Sequence, residues 1–253
     1  MMKTAELVDY LDAILSPQTI NDYCPNGLQI QGSEQINHIV TGVTASQALI
    51  DKAIELCADA ILVHHGYFWK NETQVIKGMK YRRIKALMLN DLNLLAYHLP
   101  LDIHATLGNN AQLGKLLGFT DIQPLALTSP QGIVMQANLD EPYTGTQCQA
   151  LLTHHLQRHC LHLSPPSDKP IKTVAWCTGG GQHYIEQVAE LGIDAFISGE
   201  VSEQTTHTVA EMDVHFFAAG HHATERYGIK ALGEHIAAQF DCTVSFIDID
   251  NPV

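Results

Sequence analysis

Histidine and carboxylate side chains stand at the ends of several apolar segments of this chain, which contains 15 His among its 253 residues. Imidazole and carboxylate groups in combination are typical ligands of divalent Zn, Mn, Fe, Co or Ni. The side chains at these segment ends that could bind a metal or move a proton are His64, His65, His98, Asp102, Glu200, His221 and Glu225. Their residue types and positions predict a metal site.

This set of side chains is larger than one tetrahedral metal ion needs. It fits two ions about 3.5–4 Å apart that share a carboxylate and a water. Glu225 is predicted to be the shared ligand because its side chain is long enough to reach both ions, and His221 precedes it by one helical turn. Asp102 is predicted to bind one of the two ions.

The adjacent residues His64 and His65 would point to opposite sides of a regular strand. Both can bind metal only if the backbone bends at the strand tip, which Gly66 permits. His98 could be a ligand, could hold a water molecule beside the metals, or could be a buried histidine with an ordinary partner. His98 and Glu200 are the candidates for proton transfer.

The other histidines are predicted to lie outside the site. His222 is expected to point away from its neighbour His221. Four further histidines fall in one segment with mixed spacing, for which a solvated helical face is predicted: His154, His155, His159 and His162.

Strands and helices alternate along the chain, which is typical of a largely parallel sheet covered by helices on both faces. The segments 38–44 and 59–66 have the apolar pattern of strands on either side of a helix, and 93–102 reads as a further buried strand with a polar end. Ligands of open parallel sheets bind outside the carboxyl ends of the strands. The candidate residues follow such strands.

An internal duplication relates two parts of the chain, since residues 47–66 align with residues 182–201. Matched pairs across the duplication are Asp59 with Asp194, His98 with His221, and Asp102 with Glu225. Chance similarity between two β-α-β units is the alternative explanation. Two halves related by a pseudo-twofold axis would bring the polar strand tips to one cleft.

The repeats are predicted at about 37–125 and 172–250. The corresponding domain boundaries are 1–125 for the first repeat with its N-terminal helix, 126–171 for an insert or edge element, and 172–253 for the second repeat.

Two further motifs lie near the predicted site. The turn CTGGGQ (177–182) could direct backbone N–H groups at a phosphate, or it could be a tight turn between a strand and a helix. Tyr67, Phe68 and Trp69 could stack on a planar heterocycle, or they could belong to the core or an interface. The chain has no Walker motif and no GxGxxG, so neither a P-loop nor a dinucleotide cofactor is expected.

Composition excludes several classes of protein. The chain has 14 Lys+Arg against 27 Asp+Glu, for a formal charge of −13, so strong binding to nucleic-acid phosphates is not expected. No apolar run of about 18 residues predicts a membrane span, and the N-terminus lacks the apolar core of a secretion signal. The 6 Cys are scattered without a CxxC motif, which favours reduced thiols in a cytoplasmic protein and excludes a cysteine-rich zinc ribbon.

Eight segments across nearly the whole chain resemble the YbgI-like proteins, a family also known as GTP cyclohydrolase I type 2 homologs: NDYCPNGLQIQG, TGVTAS, VHHGYFWK, HLPLD, GNNAQL, WCTGGGQ, SGEVSEQT and AAGHHATER. The resemblance implies two intertwined, internally duplicated α/β/α three-layer domains, a dinuclear metal centre and a ring-shaped homohexamer. It also implies that the metal ligands are His64, His65, Asp102, His221 and Glu225.

The leading functional hypothesis is a metal-dependent hydrolase that acts on a small planar substrate resembling a nucleotide or a pterin. Two divalent ions would generate hydroxide near neutral pH. A metal carrier without catalysis is the main alternative, because the same ligands serve either purpose. A third hypothesis is an interaction protein that assembles into rings.

Overall fold

The computed structural model describes residues 2–253, and it has the mixed α/β class that the alternating pattern predicts. The chain forms two compact units. Unit 1 contains the residues up to Leu101 together with Gly228–Asp250, and unit 2 contains Asp102–Tyr227 together with Asn251–Val253. Each unit is built from separate parts of the chain, as the prediction of intertwined domains requires. Within residues 2–253, no helix is long and apolar enough to span a membrane.

The strands and helices follow one another along the whole described chain. Those of its first part are β1 (Met2–Lys3), α1 (Thr4–Leu15), β2 (Gly27–Ile30), β3 (Gln35–Ile36), β4 (His38–Thr44), α2 (Gln47–Glu55), β5 (Ala60–His65), α3 (Gly78–Leu89), β6 (Asn93–Ala96) and α4 (Leu99–Ile103). Those that follow are α5 (Asn109–Leu116), β7 (Gln123–Pro124), β8 (Met135–Tyr143), α6 (Gly145–Leu156), β9 (Leu161–Leu163), β10 (Ile171–Cys177), α7 (Ile185–Glu190), β11 (Ala195–Ser198), α8 (Glu203–Met212), β12 (His215–Ala218), α9 (His221–Gln239) and β13 (Thr243–Phe246).

The main sheet of unit 1 has the strand order β13-β4-β5-β6-β2. All neighbours are parallel except β2, which is antiparallel to β6. The central strands are buried almost throughout, as expected for a parallel sheet that is covered on both faces. Val63 of β5 pairs with Ala96 of β6. The residues after these two, beginning with His64 and Tyr97, therefore come to the same edge of the sheet.

The sheet of unit 2 has the strand order β7-β8-β10-β11-β12-β9. β10, β11 and β12 are parallel, whereas β8 and β9 pair antiparallel with their neighbours. Segment 126–171, predicted to be an insert or edge element, supplies β8, α6 and β9 to this unit. Trp176 and Phe217 belong to the apolar core of unit 2.

The compact units divide the chain at other points than the predicted boundaries, which follow chain order. Residues 228–250, predicted to belong to the second repeat, are part of unit 1, where β13 pairs in parallel with β4. Residues 102–125, predicted to belong to the first repeat, are part of unit 2. Long-range strand pairing of this kind leaves no local mark in a sequence.

Each β-α-β unit has an aspartate whose carboxylate accepts the same pair of backbone hydrogen bonds. Oδ2 of Asp59, just before β5, accepts hydrogen bonds from the backbone N–H groups of residues 37 and 38, at 2.7 and 3.0 Å. Oδ2 of Asp194, just before β11, accepts the equivalent bonds from residues 172 and 173, at 2.9 and 3.0 Å. Each carboxylate thus ties the start of one strand to the turn before the next, at a pair of positions that the sequence duplication aligns.

Candidate metal centre

Three imidazoles lie together at one edge of the unit 1 sheet. His64, His65 and His98 each offer a ring nitrogen, and these atoms lie within 4.8 Å of one another. The ring centroids of His64 and His65 are 4.5 Å apart, so the two rings do not point to opposite sides as in a regular strand. β5 ends at His65, and beyond its tip both side chains can turn to the same side. Gly66 allows β5 and β6 to approach closely at this edge, because a Cβ on residue 66 would lie 2.6 Å from the Cβ of Ala96.

Hydrogen bonds orient the imidazoles of β5. Nδ1 of His64 lies 3.0 Å from the backbone carbonyl oxygen of Tyr97. A carbonyl only accepts, so Nδ1 carries a proton, and in the neutral imidazole Nε2 then carries the lone pair. Nδ1 of His65 lies 3.3 Å from the hydroxyl of Thr44. Fixing the second ring nitrogen in this way is typical of metal-binding histidines.

Asp22 organises His98. Its Oδ1 lies 2.9 Å from Nδ1 of His98, and its Oδ2 accepts hydrogen bonds from the backbone N–H of Leu99 at 3.0 Å and from the side chain of Asn26 at 3.0 Å. Burial raises the pKa of the Asp22 carboxyl, but the hydrogen bond and charge of His98, together with bonds from Asn26 and Tyr23, outweigh it and lower that pKa to about 2. Asp22 is therefore an ionised carboxylate whose hydrogen bond fixes the orientation of the His98 ring.

The three consecutive aromatic residues after Gly66 have different environments. Tyr67 is buried and donates its hydroxyl hydrogen to the carbonyl of Ala45 at 2.7 Å, and Phe68 packs against the unit 1 core. The ring of Trp69 instead lies 5.0 Å from that of His98. Tyr23, which is 52% exposed, lies 5.1 Å from the same imidazole and 6.0 Å from Trp69. Two aromatic rings thus flank the imidazole cluster.

A second cluster lies in unit 2 at the start of α9. Nε2 of His221 lies 3.2 Å from Oε2 of Glu225, one helical turn further along, and Nδ1 of His221 lies 2.7 Å from Oε1 of Glu200. Burial lowers the pKa of the His221 imidazole, but the hydrogen bonds and charges of Glu225 and Glu200 outweigh it and raise that pKa to about 9. Without a metal ion this histidine is held as a cation between two carboxylates.

Asp102 lies in the short helix α4 and is buried, with only 5% of its surface exposed. Its Oδ1 accepts hydrogen bonds from the side-chain amide of Asn109 at 2.8 Å and from the hydroxyl of Thr178 at 3.4 Å. Burial raises the pKa of the nearby Cys177 thiol, and the charges of Asp102 and Glu225 raise it further. Cys177 is thus a neutral, inert thiol.

The turn CTGGGQ is a tight structural turn in this fold. The backbone N–H of Gly179 donates to the hydroxyl of Thr224 at 3.0 Å, and its carbonyl accepts the backbone N–H of Gly199 at 2.9 Å. Gly179 has a φ of +62°, and a Cβ there would collide with the Glu225 carboxylate. These bonds favour the tight turn over the phosphate-binding loop.

Within each unit, the structure brings predicted residues together. His64, His65 and His98 form one group in unit 1, whereas Asp102, Glu200, His221 and Glu225 belong to unit 2. That all five predicted ligands serve one pair of ions stays a prediction.

The sequence did not single out Asp22, Asn26, Asn109 or Thr178, which hold His98 and Asp102. Their only sequence signal is a polar residue inside a segment such as NDYCPNG, where turn formation is the more common explanation.

One histidine departs from its predicted environment. His162 lies in β9, not on a solvated helical face, and its ring stacks on Phe217 with centroids 4.5 Å apart. Its Nε2 lies 3.0 Å from Nδ1 of the fully buried His215. The short strand β9 begins after the helix and places the half-buried His162 ring against Phe217. The spacing of the histidines in the sequence does not reveal this strand.

Comparison with known proteins identifies the family of this chain and agrees with its fold. The model of the Duf34/NIF3 (NGG1p interacting factor 3) family matches residues 2–252. The chain belongs to the DUF34/NIF3 family. It is 58% identical over 253 residues to a Vibrio cholerae protein named GTP cyclohydrolase 1 type 2 homolog, with 100% of both chains covered. An Escherichia coli K12 protein with the same name is 51% identical over 254 residues, covering 99% of this chain and 100% of that one.

Two solved structures have the same fold as this DUF34/NIF3 chain. The structure of protein ybgI has a TM-score of 0.94 at 50% identity, and a protein of Thermus thermophilus has a TM-score of 0.90 at 32% identity. Each comparison covers 100% of both chains. The predicted resemblance to YbgI-like proteins is therefore confirmed.

Proposed function

We propose that this protein is a metal-dependent hydrolase with two divalent ions held by His64, His65, Asp102, His221 and Glu225. The observation that supports this proposal best is the hydrogen-bond partner at Nδ1 of two of the imidazoles. Nδ1 of His64 is bound to a backbone carbonyl and Nδ1 of His221 to a carboxylate, and either partner leaves Nε2 as the metal-binding nitrogen. The donor set of three imidazoles and two carboxylates suits Zn, Mn, Fe, Co or Ni.

Bound divalent ions would supply Lewis acidity and a hydroxide nucleophile near neutral pH. The side chains around them have separate functions in this proposal. His98 can accept a proton at Nε2, because the Asp22 carboxylate on its Nδ1 stabilises the imidazolium that forms. Glu200 positions His221 through the bond to Nδ1 and serves as the second candidate for proton transfer. Glu225, whose carboxylate lies against Gly179, is proposed as the ligand shared by both ions.

A planar nucleotide-like or pterin-like substrate is proposed because aromatic rings flank the imidazoles. Trp69 and the half-exposed Tyr23 lie beside His98, where they can stack on a heterocycle. The name of the bacterial relatives, GTP cyclohydrolase 1 type 2 homolog, supports the same class of substrate. A metal carrier remains the second candidate, because its ligands would be the same.

The decisive experiment combines metal analysis with a substrate screen. Purified protein loaded separately with each candidate metal is incubated with GTP, other nucleotides, pterins and phosphoesters. We expect turnover of at least one compound by the wild type, and its loss in Glu225→Gln. The carrier hypothesis would instead be supported if no compound of the panel is turned over and the protein rapidly transfers its metal, without added chelator, to a metal-free acceptor protein.

We also propose that the protein forms a homohexamer in the cytoplasm. Several apolar side chains of the 75–89 region are at least 50% exposed, which supports self-association: Val75, Ile76, Met79, Met88 and Leu89. The 6 cysteines are all free, as in a reducing compartment. Light scattering of the purified protein tests the assembly, and a monomeric mass at micromolar concentration would refute it.

A further inference from the structure

A cavity of about 480 Å³ lies within unit 2, beside the His221 cluster. Its lining includes Arg158, Leu161, Glu200, Gly220 and Pro252. Glu200 connects the cavity to the candidate metal centre, because the same carboxylate is bonded to Nδ1 of His221 at 2.7 Å. A molecule in this cavity would therefore lie next to a proposed metal-binding histidine.

The guanidinium of Arg158 is the cationic group of this cavity. Its Nη1 is buried and has no hydrogen-bond acceptor among residues 2–253. No ion pair joins Arg158 to a carboxylate within the described chain. Glu200 is one acidic group of the lining and is engaged with His221, and Val253, the last residue, also lines the cavity. A buried charged donor without an acceptor is costly, and natural structures usually provide one.

Backbone geometry holds Arg158 in place. Gln157 ends α6 with a φ of +56°, which directs the chain from the helix toward β9. The guanidinium then lies directly against Gly220, where a Cβ would collide with Nη1. Gly220 has a φ of +100°, a conformation that residues with a side chain rarely adopt. The turn at Gln157 and the absence of a side chain at Gly220 together allow the guanidinium to lie at the cavity wall.

We propose that this cavity binds the anionic group, phosphate or carboxylate, of a small organic molecule through Arg158. A guanidinium presents several N–H groups in a planar fork that matches the oxygens of either anion, and such charge-assisted bonds are the strong ones. The size of the cavity exceeds that of a free phosphate and leaves room for an attached organic part. That this molecule is the substrate rests on the proposed function, whereas anion binding by Arg158 does not.

The test is calorimetric titration of the metal-loaded protein with inorganic phosphate, acetate and GTP. The proteins compared are the wild type, Arg158→Gln, Arg158→Lys and the control Arg82→Gln, which removes an exposed guanidinium from α3. We expect Arg158→Gln to bind phosphate or acetate at least about tenfold more weakly than the wild type. Arg158→Lys should fall in between, because an ammonium keeps the charge but not the fork. Arg82→Gln should match the wild type.

Thermal unfolding without added anion checks that Arg158→Gln folds. Since Nη1 has no acceptor in the described chain, this variant should be at least as stable as the wild type, and only the stabilisation by added anion should be lost. Equal binding by wild type and Arg158→Gln would place the anion elsewhere and overturn the proposal. So would the absence of phosphate and acetate binding up to about 10 mM.

The same experiment separates this proposal from the proposed function. Arg158-dependent binding of phosphate by a protein that hydrolyses nothing would retain the anion site and remove the hydrolase. Hydrolysis of GTP with unchanged KM in Arg158→Gln, together with unchanged phosphate binding, would retain the hydrolase and remove the anion site. Preference for acetate over phosphate would identify the anion as a carboxylate.

Discussion

Oδ1 of Asp22 lies 2.9 Å from Nδ1 of His98, although 76 residues separate them along the chain. The Asp22 pKa of about 2 means that this carboxylate is ionised at neutral pH. Its charge and its hydrogen bond both act on the imidazole that faces His64 and His65.

The first prediction concerns this pair. Asp22→Asn keeps an oxygen acceptor for His98 but removes the negative charge, so we expect metal affinity or turnover to fall about 10–100-fold, as for other partners of metal-site histidines. Metal content after dialysis and steady-state kinetics measure the effect. Asp12→Asn is the control. Asp12 also accepts a side-chain hydrogen bond, from the hydroxyl of Tyr97 at 2.6 Å, but its partner is a tyrosine and not a histidine. Equal losses in both variants would refute the role of Asp22.

The second prediction follows from the position of His221 between two carboxylates. Its pKa of about 9 lies above the ordinary value of 6.5, so at neutral pH the metal-free site holds a proton that a metal ion must displace. Metal affinity should therefore decrease about tenfold for each unit that the pH falls below about 9. Chelator competition between about pH 7 and 9 measures this slope.

Glu200→Gln provides the control for this slope. It removes one of the two charges that raise the pKa of His221, so the pH at which affinity levels off should move down. A wild-type affinity that does not change with pH over this range would contradict the prediction.

Sequence reasoning predicted the parts of this fold that local patterns determine. The strand at 38–44 has the predicted bounds, because its β-branched residues favour an extended backbone and its middle five residues are buried. The duplication aligned Asp59 with Asp194, and both carboxylates accept the same two backbone hydrogen bonds. His221 and Glu225 are one turn apart on α9, as helical spacing requires.

The features that the sequence did not predict depend on contacts between residues far apart in the chain. Asn109 and Thr178 both donate to Asp102, and Thr178 is 76 residues away from it. Nothing in the sequence near Thr178 shows that its hydroxyl meets a carboxylate, because the contact depends on how α4 packs near the end of β10. The pairing of β13 with β4, which assigns residues 228–250 to unit 1, is equally long-range.

The third prediction concerns acid stability and the pair His162–His215. Burial lowers the pKa of the His162 imidazole below 6.5, and the charge of His215 lowers it further. The folded state then binds fewer protons at His162 than the unfolded state does, so this imidazole costs stability as the pH falls below about 6.5 and has no such effect above it.

His162→Gln keeps a side-chain N–H donor for His215 and removes the titration. The midpoint of urea unfolding of the wild type should therefore drop more between about pH 7.5 and 5.5 than that of His162→Gln. His207→Gln on α8 is the control, since the His207 side chain is 67% exposed. The same drop in all three proteins would show that the pair does not set the acid limit.

The fourth prediction separates the geometry of the Glu225 carboxylate from overall stability. Gly179→Ala introduces a Cβ where φ is +62° and where the Glu225 carboxylate already lies, whereas Gly192→Ala introduces one at a φ of +76° with nothing within 4 Å. Both variants should lose about 1–2 kcal/mol from the left-handed backbone alone. Only Gly179→Ala should also displace Glu225 and lower the metal content of the purified protein. Because both variants share the backbone cost, a loss of metal in both would be due to lower stability. Full metal content in both would show that metal binding does not depend on the position of Glu225 beside Gly179.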